Sequence, residues 1–259
     1  MNGTRQSRRS AAHLWRLANR GVLALALLTF AWASPAASAQ DDFTTEFELD
    51  ECDFASRGEN LYFNLRPGQS VFEAEDEGEL ERLVITVLPE TRKIHVPGLG
   101  NVRTRVIEEN ESVDGRVVEI SRNYFAICEE TSDVFYFGED VDIFHEDGSV
   151  THDGAWIAGQ PDADGRAEPG LIMPGRFLLG SRYFQEIADG IALDRAENVE
   201  MGLEVSTEAG DFDDCVKVIE TTELEPGSES EKIYCPEVGM VFDGELELVE
   251  STFIEEDDD

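Results

Sequence analysis

Asp-Gly steps between alternating apolar runs set the strongest constraint on how this chain folds. Asp114-Gly115, Asp147-Gly148 and Asp243-Gly244 each interrupt stretches rich in Val, Ile, Phe and Tyr. Asp-Gly favours the left-handed central positions of a two-residue hairpin turn, and flanks that alternate with a period of two read as strands. Strand patterns occur at Leu61–Leu65, Val71–Glu73, Leu80–Leu88, Val102–Glu108, Arg116–Cys128, Asp133–Phe144 and Val150–Ile157. After a Gly-, Pro- and Asp-rich stretch at Ala158–Gly175, read as a surface loop, they resume at Phe177–Ile187, Ile191–Val205, Cys215–Glu223, Glu231–Tyr234 and Glu245–Phe253. Pro89 is expected to end the strand before it. No stretch keeps a helical period. The pattern predicts an all-β antiparallel meander, which must curl to bury one face: a strongly curved sheet or barrel, with a two-sheet sandwich as the alternative.

Residues 1–39 have the make-up of a cleavable export signal. Arg5, Arg8, Arg9, Arg16 and Arg20 precede an apolar run from Val22 to Trp32, and Ala37 and Ala39 form an A-x-A site. The run is shorter than the ~20 apolar residues that span a bilayer, so no stable membrane insertion is expected once the signal is removed. Residues 40–60 form a polar lead-in, with a short strand expected at Phe43–Leu49. Residues 61–254 are read as one β domain, and 255–259 as a charged tail. Cleavage removes five of the 20 basic residues and none of the 57 acidic ones, taking the formal charge from −37 to −42. A chain this acidic repels nucleic acid and anionic lipid surfaces and attracts cations. The expected location is periplasmic or extracellular. There, Cys52, Cys128, Cys215 and Cys235 form an even set that suggests two disulfides, with three pairings open. A two-residue turn at Pro226-Gly227 would set Cys215 opposite Val238, so a Cys215–Cys235 bridge would need a bulge or a wider loop.

The stretches RPGQSVFEAEDEGELERLVITVLPETRKI, SRNYFAICEETSDVFYFGEDVDIF, GLIMPGRFLLGSRYFQEIADGIALDRAE and DDCVKVIETTELEPGSESEKIYCPEVGMVFDGELELV cover most of the chain from Arg66 to Val249. They resemble an uncharacterised family of exported acidic β-rich bacterial proteins with no established function. The resemblance implies a Cys128–Cys215 bridge, leaving Cys52 for Cys235. It implies no activity.

Two sets of residues stand out chemically. A two-residue turn at Asp147-Gly148 would place Ile143 opposite His152 and Asp142 opposite Asp153. His145 and His152 would then be diagonal neighbours on one face, with Asp140, Asp142 and Asp153 on the other. These five residues are candidates for Zn or Ca binding, since imidazole suits Zn and carboxylates suit Ca. The second set is Tyr136, Trp156, Arg182, Tyr183, Gln185 and Glu186. In a curved sheet these would line a cavity for a small or apolar ligand, with the polar members as anchors. No G-x-S-x-G, H-E-x-x-H or P-loop occurs. The expectation leans away from catalysis, with an enzyme of unknown class as a further alternative. The leading expectation is a non-enzymatic binding protein for a small molecule, and the next is a divalent-cation-binding protein.

Overall fold

A computed structural model describes residues 43–76 and 78–254. The export signal, its cleavage site and the tail at 255–259 lie outside the described residues. A 3-10 turn at Leu49–Glu51 precedes sixteen strands. The first eight are β1 (Phe54–Ala55), β2 (Gly68–Asp76), β3 (Glu79–Val96), β4 (Gly100–Val113), β5 (Arg116–Cys128), β6 (Val134–Phe144), β7 (Val150–Thr151) and β8 (Trp156–Ile157). The rest are β9 (Glu168–Met173), β10 (Arg182–Phe184), β11 (Glu186–Ile187), β12 (Asp194–Thr207), β13 (Gly210–Thr222), β14 (Glu229–Cys235), β15 (Gly239–Asp243) and β16 (Leu246–Ser251). No α-helix occurs among the described residues, and no helix is long and apolar enough to cross a membrane.

All named pairings are antiparallel, and the main path runs β10-β12-β13-β14-β15-β16-β2-β3-β4-β5-β6-β9-β11. The meander forms one curved sheet, as the sequence predicts. It does not close into a barrel, and it does not split into the two packed sheets of a sandwich. The two ends of the path are nonetheless neighbours in sequence. Residues 182–184 pair with β12, residues 186–187 pair with β9, and only Gln185 separates them. One short segment therefore caps both margins of the sheet.

The close approach of this segment explains a strand that the sequence hides. Residues 168–173 sit inside the stretch read as a loop, because Pro169 and Gly170 look like turn residues. They instead form β9. A Cβ on Gly170 would lie 2.2 Å from the Gln185 carbonyl oxygen, so only glycine lets the two backbones meet. Pro89 likewise does not end its strand. β3 runs through it with a register shift between Val87 and Thr91. The buried Arg105 guanidinium donates to the Leu88 and Pro89 carbonyls at 3.0 Å each, satisfying groups that the irregular ladder leaves open. The lead-in does not form the expected strand at Phe43–Leu49; only Thr44 bridges to Tyr183. Phe47 and Phe54 pack edge-on against Phe135, and Phe54 also against Phe137, which tie the lead-in to the core.

The disulfides are Cys52–Cys128 and Cys215–Cys235. This corrects the Cys128–Cys215 and Cys52–Cys235 pairing implied by the resemblance. The connection between β13 and β14 is wider than a two-residue turn, so Val216 pairs with Tyr234 and Cys215 lies beside Cys235, with Cα atoms 4.2 Å apart. Cys52–Cys128 fastens the lead-in to the end of β5 beside the Phe54↔Cys128 register. Non-reducing peptide mapping is expected to recover these two bridges and no other. Gly170→Ala is expected to lower stability by about 2 kcal/mol or more through overpacking against Gln185, measured by urea unfolding.

Candidate functional site

On the inner face, β4 changes character along its length. Ile107 is buried in the apolar core, whereas Glu109 and Glu111 follow in the same phase. β5 does the same through Phe125, Asn123, Ser121 and Glu119. The register sets Glu109 opposite Ser121 and Glu111 opposite Glu119. β6 adds Glu139, opposite Asn123. The Glu186 carboxylate, on β11, accepts from Trp156 Nε1 at 3.4 Å.

Electrostatic couplings show that this face curls back on itself. β4 and β14 are five strands apart along the path, yet Glu109 feels the charge of Lys232. Lys232 Nζ pairs with Glu220 Oε2 at 3.0 Å and Asp243 Oδ2 at 3.6 Å. Gln185 Nε2 donates to the other oxygen of Glu220 at 2.7 Å. The Glu109, Glu111 and Glu119 side chains make no hydrogen bond or ion pair among the described residues, and Glu119 is only 8% exposed. Glu109 and Glu111 lie deep in the fold but keep part of their surface accessible, so they line a concavity rather than a packed core. The Ser230 hydroxyl, opposite Glu220 and 7% exposed, also has no partner.

Burial and mutual repulsion favour the neutral form of these acids. Burial pushes Glu109 up to about 7, Lys232 opposes the rise, and Asp243 and Glu220 add to it. Glu111 rises to about 8 by burial and by the charges of Glu119 and Glu109. Glu119 rises to about 7 by burial and Glu109. Glu139 rises to about 8 by burial, Glu109 and Glu119. Glu186 is raised by burial, Asp194 and Glu139. Burial lowers Lys232, but Asp243 and Glu220 outweigh it, so its ammonium is held charged.

A cleft of about 240 Å³ on the outside of the sheet borders this interior at Glu139. Asp140 and Gln160 are exposed along it, and the buried Glu139 and Trp156 back it. Behind Trp156, Tyr136 meets it edge-on at 5.4 Å and stacks on Phe125 at 4.6 Å.

The cavity residues read from the sequence divide. Tyr136, Trp156, Gln185 and Glu186 face this interior, with the Tyr136 hydroxyl donating to Asn123 Oδ1. Tyr183 donates to the buried Asn198 at 3.0 Å. Arg182 pairs with Glu197 on β12.

The metal set does not assemble as expected. The turn holds three residues, 146–148, so Phe144 pairs with Val150 and Ile143 with Thr151. Gly148 at φ 83° accommodates the extra residue, and the one-residue slip removes the diagonal between the imidazoles. His145 instead meets Thr151 at 3.0 Å, and His152 meets Asp142 at 3.0 Å and the Val141 carbonyl at 2.8 Å. Asp140 pairs with Arg92 and accepts from Tyr124, each at 2.6 Å. Asp153 is exposed. Among the described residues, Cys52, Cys128 and Glu130 alone bring three ligand atoms within metal-binding reach, and the two sulfurs are already bonded to each other.

The sequence reading missed Glu109, Glu111, Glu119, Glu139, Glu220, Lys232 and Asp243. A two-residue Asp114-Gly115 turn sets Glu119 opposite Asn110, on the other face. A bulge between Glu111 and Ser112 moves it opposite Glu111. No family model, curated protein or solved structure matches this chain.

The sign of the pH dependence follows from neutral acids in the fold. Below the unfolded value of about 4.5 these groups are protonated in both states and cost nothing. As pH rises, the unfolded chain ionises first, and stability falls until the folded groups ionise at about 7 to 8. Glu119→Gln removes one such cost. It is expected to raise stability by about 1–3 kcal/mol at pH 8.5 and to leave it unchanged at pH 4, measured by thermal unfolding at both values.

Proposed function

We propose that this is an exported, non-enzymatic binding protein whose curved interior takes a small cationic ligand. Export is supported by the signal-like sequence at 1–39 and by two disulfides, which persist in oxidising compartments. The observation that carries the ligand class is the contrast inside the sheet. Lys232 already places one ammonium there, paired to Glu220 and Asp243, while Glu109, Glu111 and Glu119 have no cationic partner within ion-pair distance. A buried carboxylate without a partner is costly, and a bound cation offsets that cost. The interior is therefore a better host for positive charge than for the purely apolar ligand that the aromatic residues alone suggest. The hairpin at 140–153 is not part of this reading, because His145, His152, Asp140 and Asp142 are spent on Thr151, on one another and on Arg92 and Tyr124.

Calorimetric titration at pH 8 with a diamine (putrescine), Ca²⁺ and laurate separates the possibilities. Saturable binding of a cation, weakened at least tenfold by Glu139→Gln, is expected. Saturable binding of laurate with no cation binding would overturn the reading.

A further inference from the structure

We infer that the interior is built for a linear polyamine, with ammonium groups lying in successive rows of carboxylates and entry past Trp156. The inference rests on the cationic-ligand reading and specifies its chemistry.

The carboxylates are spread out rather than gathered. A Ca²⁺ ion takes six to eight oxygens at 2.3–2.6 Å, so its acidic ligands must converge. Among the described residues, no three of the interior acids bring their oxygens within such reach. They lie instead in rows across neighbouring strands. Glu139 is level with Asn123, Glu109 with Ser121, and Glu111 with Glu119. Two strand residues separate each row from the next, which is about 7 Å, so the three rows span about 13 Å. Flexible three- or four-carbon spacers hold ammonium nitrogens at a comparable repeat. One ion cannot serve all three rows, whereas one triamine can.

Three further observations point to an amine. Lys232 shows that a primary ammonium on a four-carbon stem is accommodated here, held by two carboxylates on the wall that faces Glu109. The Ser230 hydroxyl on that wall is buried and has no partner, which leaves an acceptor for an ammonium N–H. At the outer end, Glu139 belongs both to the first row and to the cleft, where Trp156 supplies an aromatic side chain with Tyr136 packed edge-on against it. Aromatic faces and carboxylates together favour organic cations over hydrated metal ions.

The charged and titratable groups around the rows are Glu109 and Glu111 on β4, Glu119 on β5, Tyr136 and Glu139 on β6, Glu186 on β11, Asp194 on β12, Glu220 on β13, Lys232 and Tyr234 on β14, and Asp243 on β15. Lys232 is the one cation among them. An entering polyamine displaces protons from the neutral acids, so binding releases protons to the buffer.

The test is calorimetric titration of the exported chain with spermidine, putrescine, butylamine and Ca²⁺ at pH 7.5 and fixed ionic strength. Each titration is run in HEPES and in Tris, because the enthalpy difference between the buffers counts released protons. Spermidine is expected to bind at least tenfold more tightly than putrescine, and putrescine more tightly than butylamine, with proton release. Glu119→Gln is expected to weaken spermidine at least tenfold and to leave butylamine within twofold. Equal affinities for the three amines, or tighter binding of Ca²⁺ than of spermidine, would overturn the polyamine inference while leaving a cationic ligand in place. Absence of saturable binding by any of the four would overturn both.

Discussion

A sheet of sixteen strands has two margins, and each margin carries backbone N–H and C=O groups that seek partners. In this protein both margins end on one six-residue stretch, 182–187. The stretch bonds to β12 with its first half and to β9 with its second, and Gln185 sits where it passes between them. Its backbone fits because Gly170 offers no side chain at the crossing. The Gln185 amide N–H donates to Asp194 at 2.7 Å, and its side chain reaches Glu220. The curvature of the whole sheet, and the enclosure of its inner face, depend on this junction.

Enclosure has an electrostatic consequence. Because one segment holds both margins, strands that are far apart in the ladder face each other, and the alternating pattern that buries Ile107 and Phe125 also turns Glu109 and Glu119 inward. A buried carboxylate loses its hydration, and like charges opposite one another add repulsion. The fold accommodates this in three ways. Lys232 pairs with both Glu220 and Asp243. Trp156 donates to Glu186, and Tyr136 donates to Asn123 beside Glu139. The remaining glutamates line a concavity, where they keep access to water or to a ligand. A chain selected only for stability would place apolar residues at these positions, since replacing buried ionisable groups with packed apolar ones is often stabilising.

Much of the fold was legible in the sequence, because it rests on local signals. Alternation and Asp-Gly turns located most strands, and Asp114-Gly115 forms its two-residue turn with both residues at positive φ, 50° and 76°. What escaped depends on contacts distant in sequence or on one-residue irregularities. β9 was hidden because Gly170 answers to Gln185, not to its own neighbours. The bulge beside Ser112 and the three-residue turn at 146–148 each shift register by one, and a one-residue shift reverses which face a side chain occupies. The first brought Glu119 into the interior, and the second took the His145–His152 diagonal apart. The disulfides follow the same logic, because the wider β13–β14 connection sets Cys215 beside Cys235. The aromatic and polar residues at 136, 156, 185 and 186 were found because they are unusual residue types on strands. The glutamates were not, because nothing in composition separates five inward acids from some fifty others.

That difficulty bears on how the overall acidity is understood. Surface carboxylates on this chain act through screened, long-range attraction and discriminate poorly among cations. The interior set differs because its water is restricted and its geometry is fixed by the ladder. There, charge is selected by spacing and by competition with protons. The acids at about 7 to 8 stand near the middle of their titration in neutral surroundings, so each site is shared between a proton and any cation that reaches it. Acidification favours the proton and alkalinity favours the cation. On the proposed cationic-ligand reading, the acidic exterior raises the local concentration of cations, and the interior chooses among them by the distance between their charges.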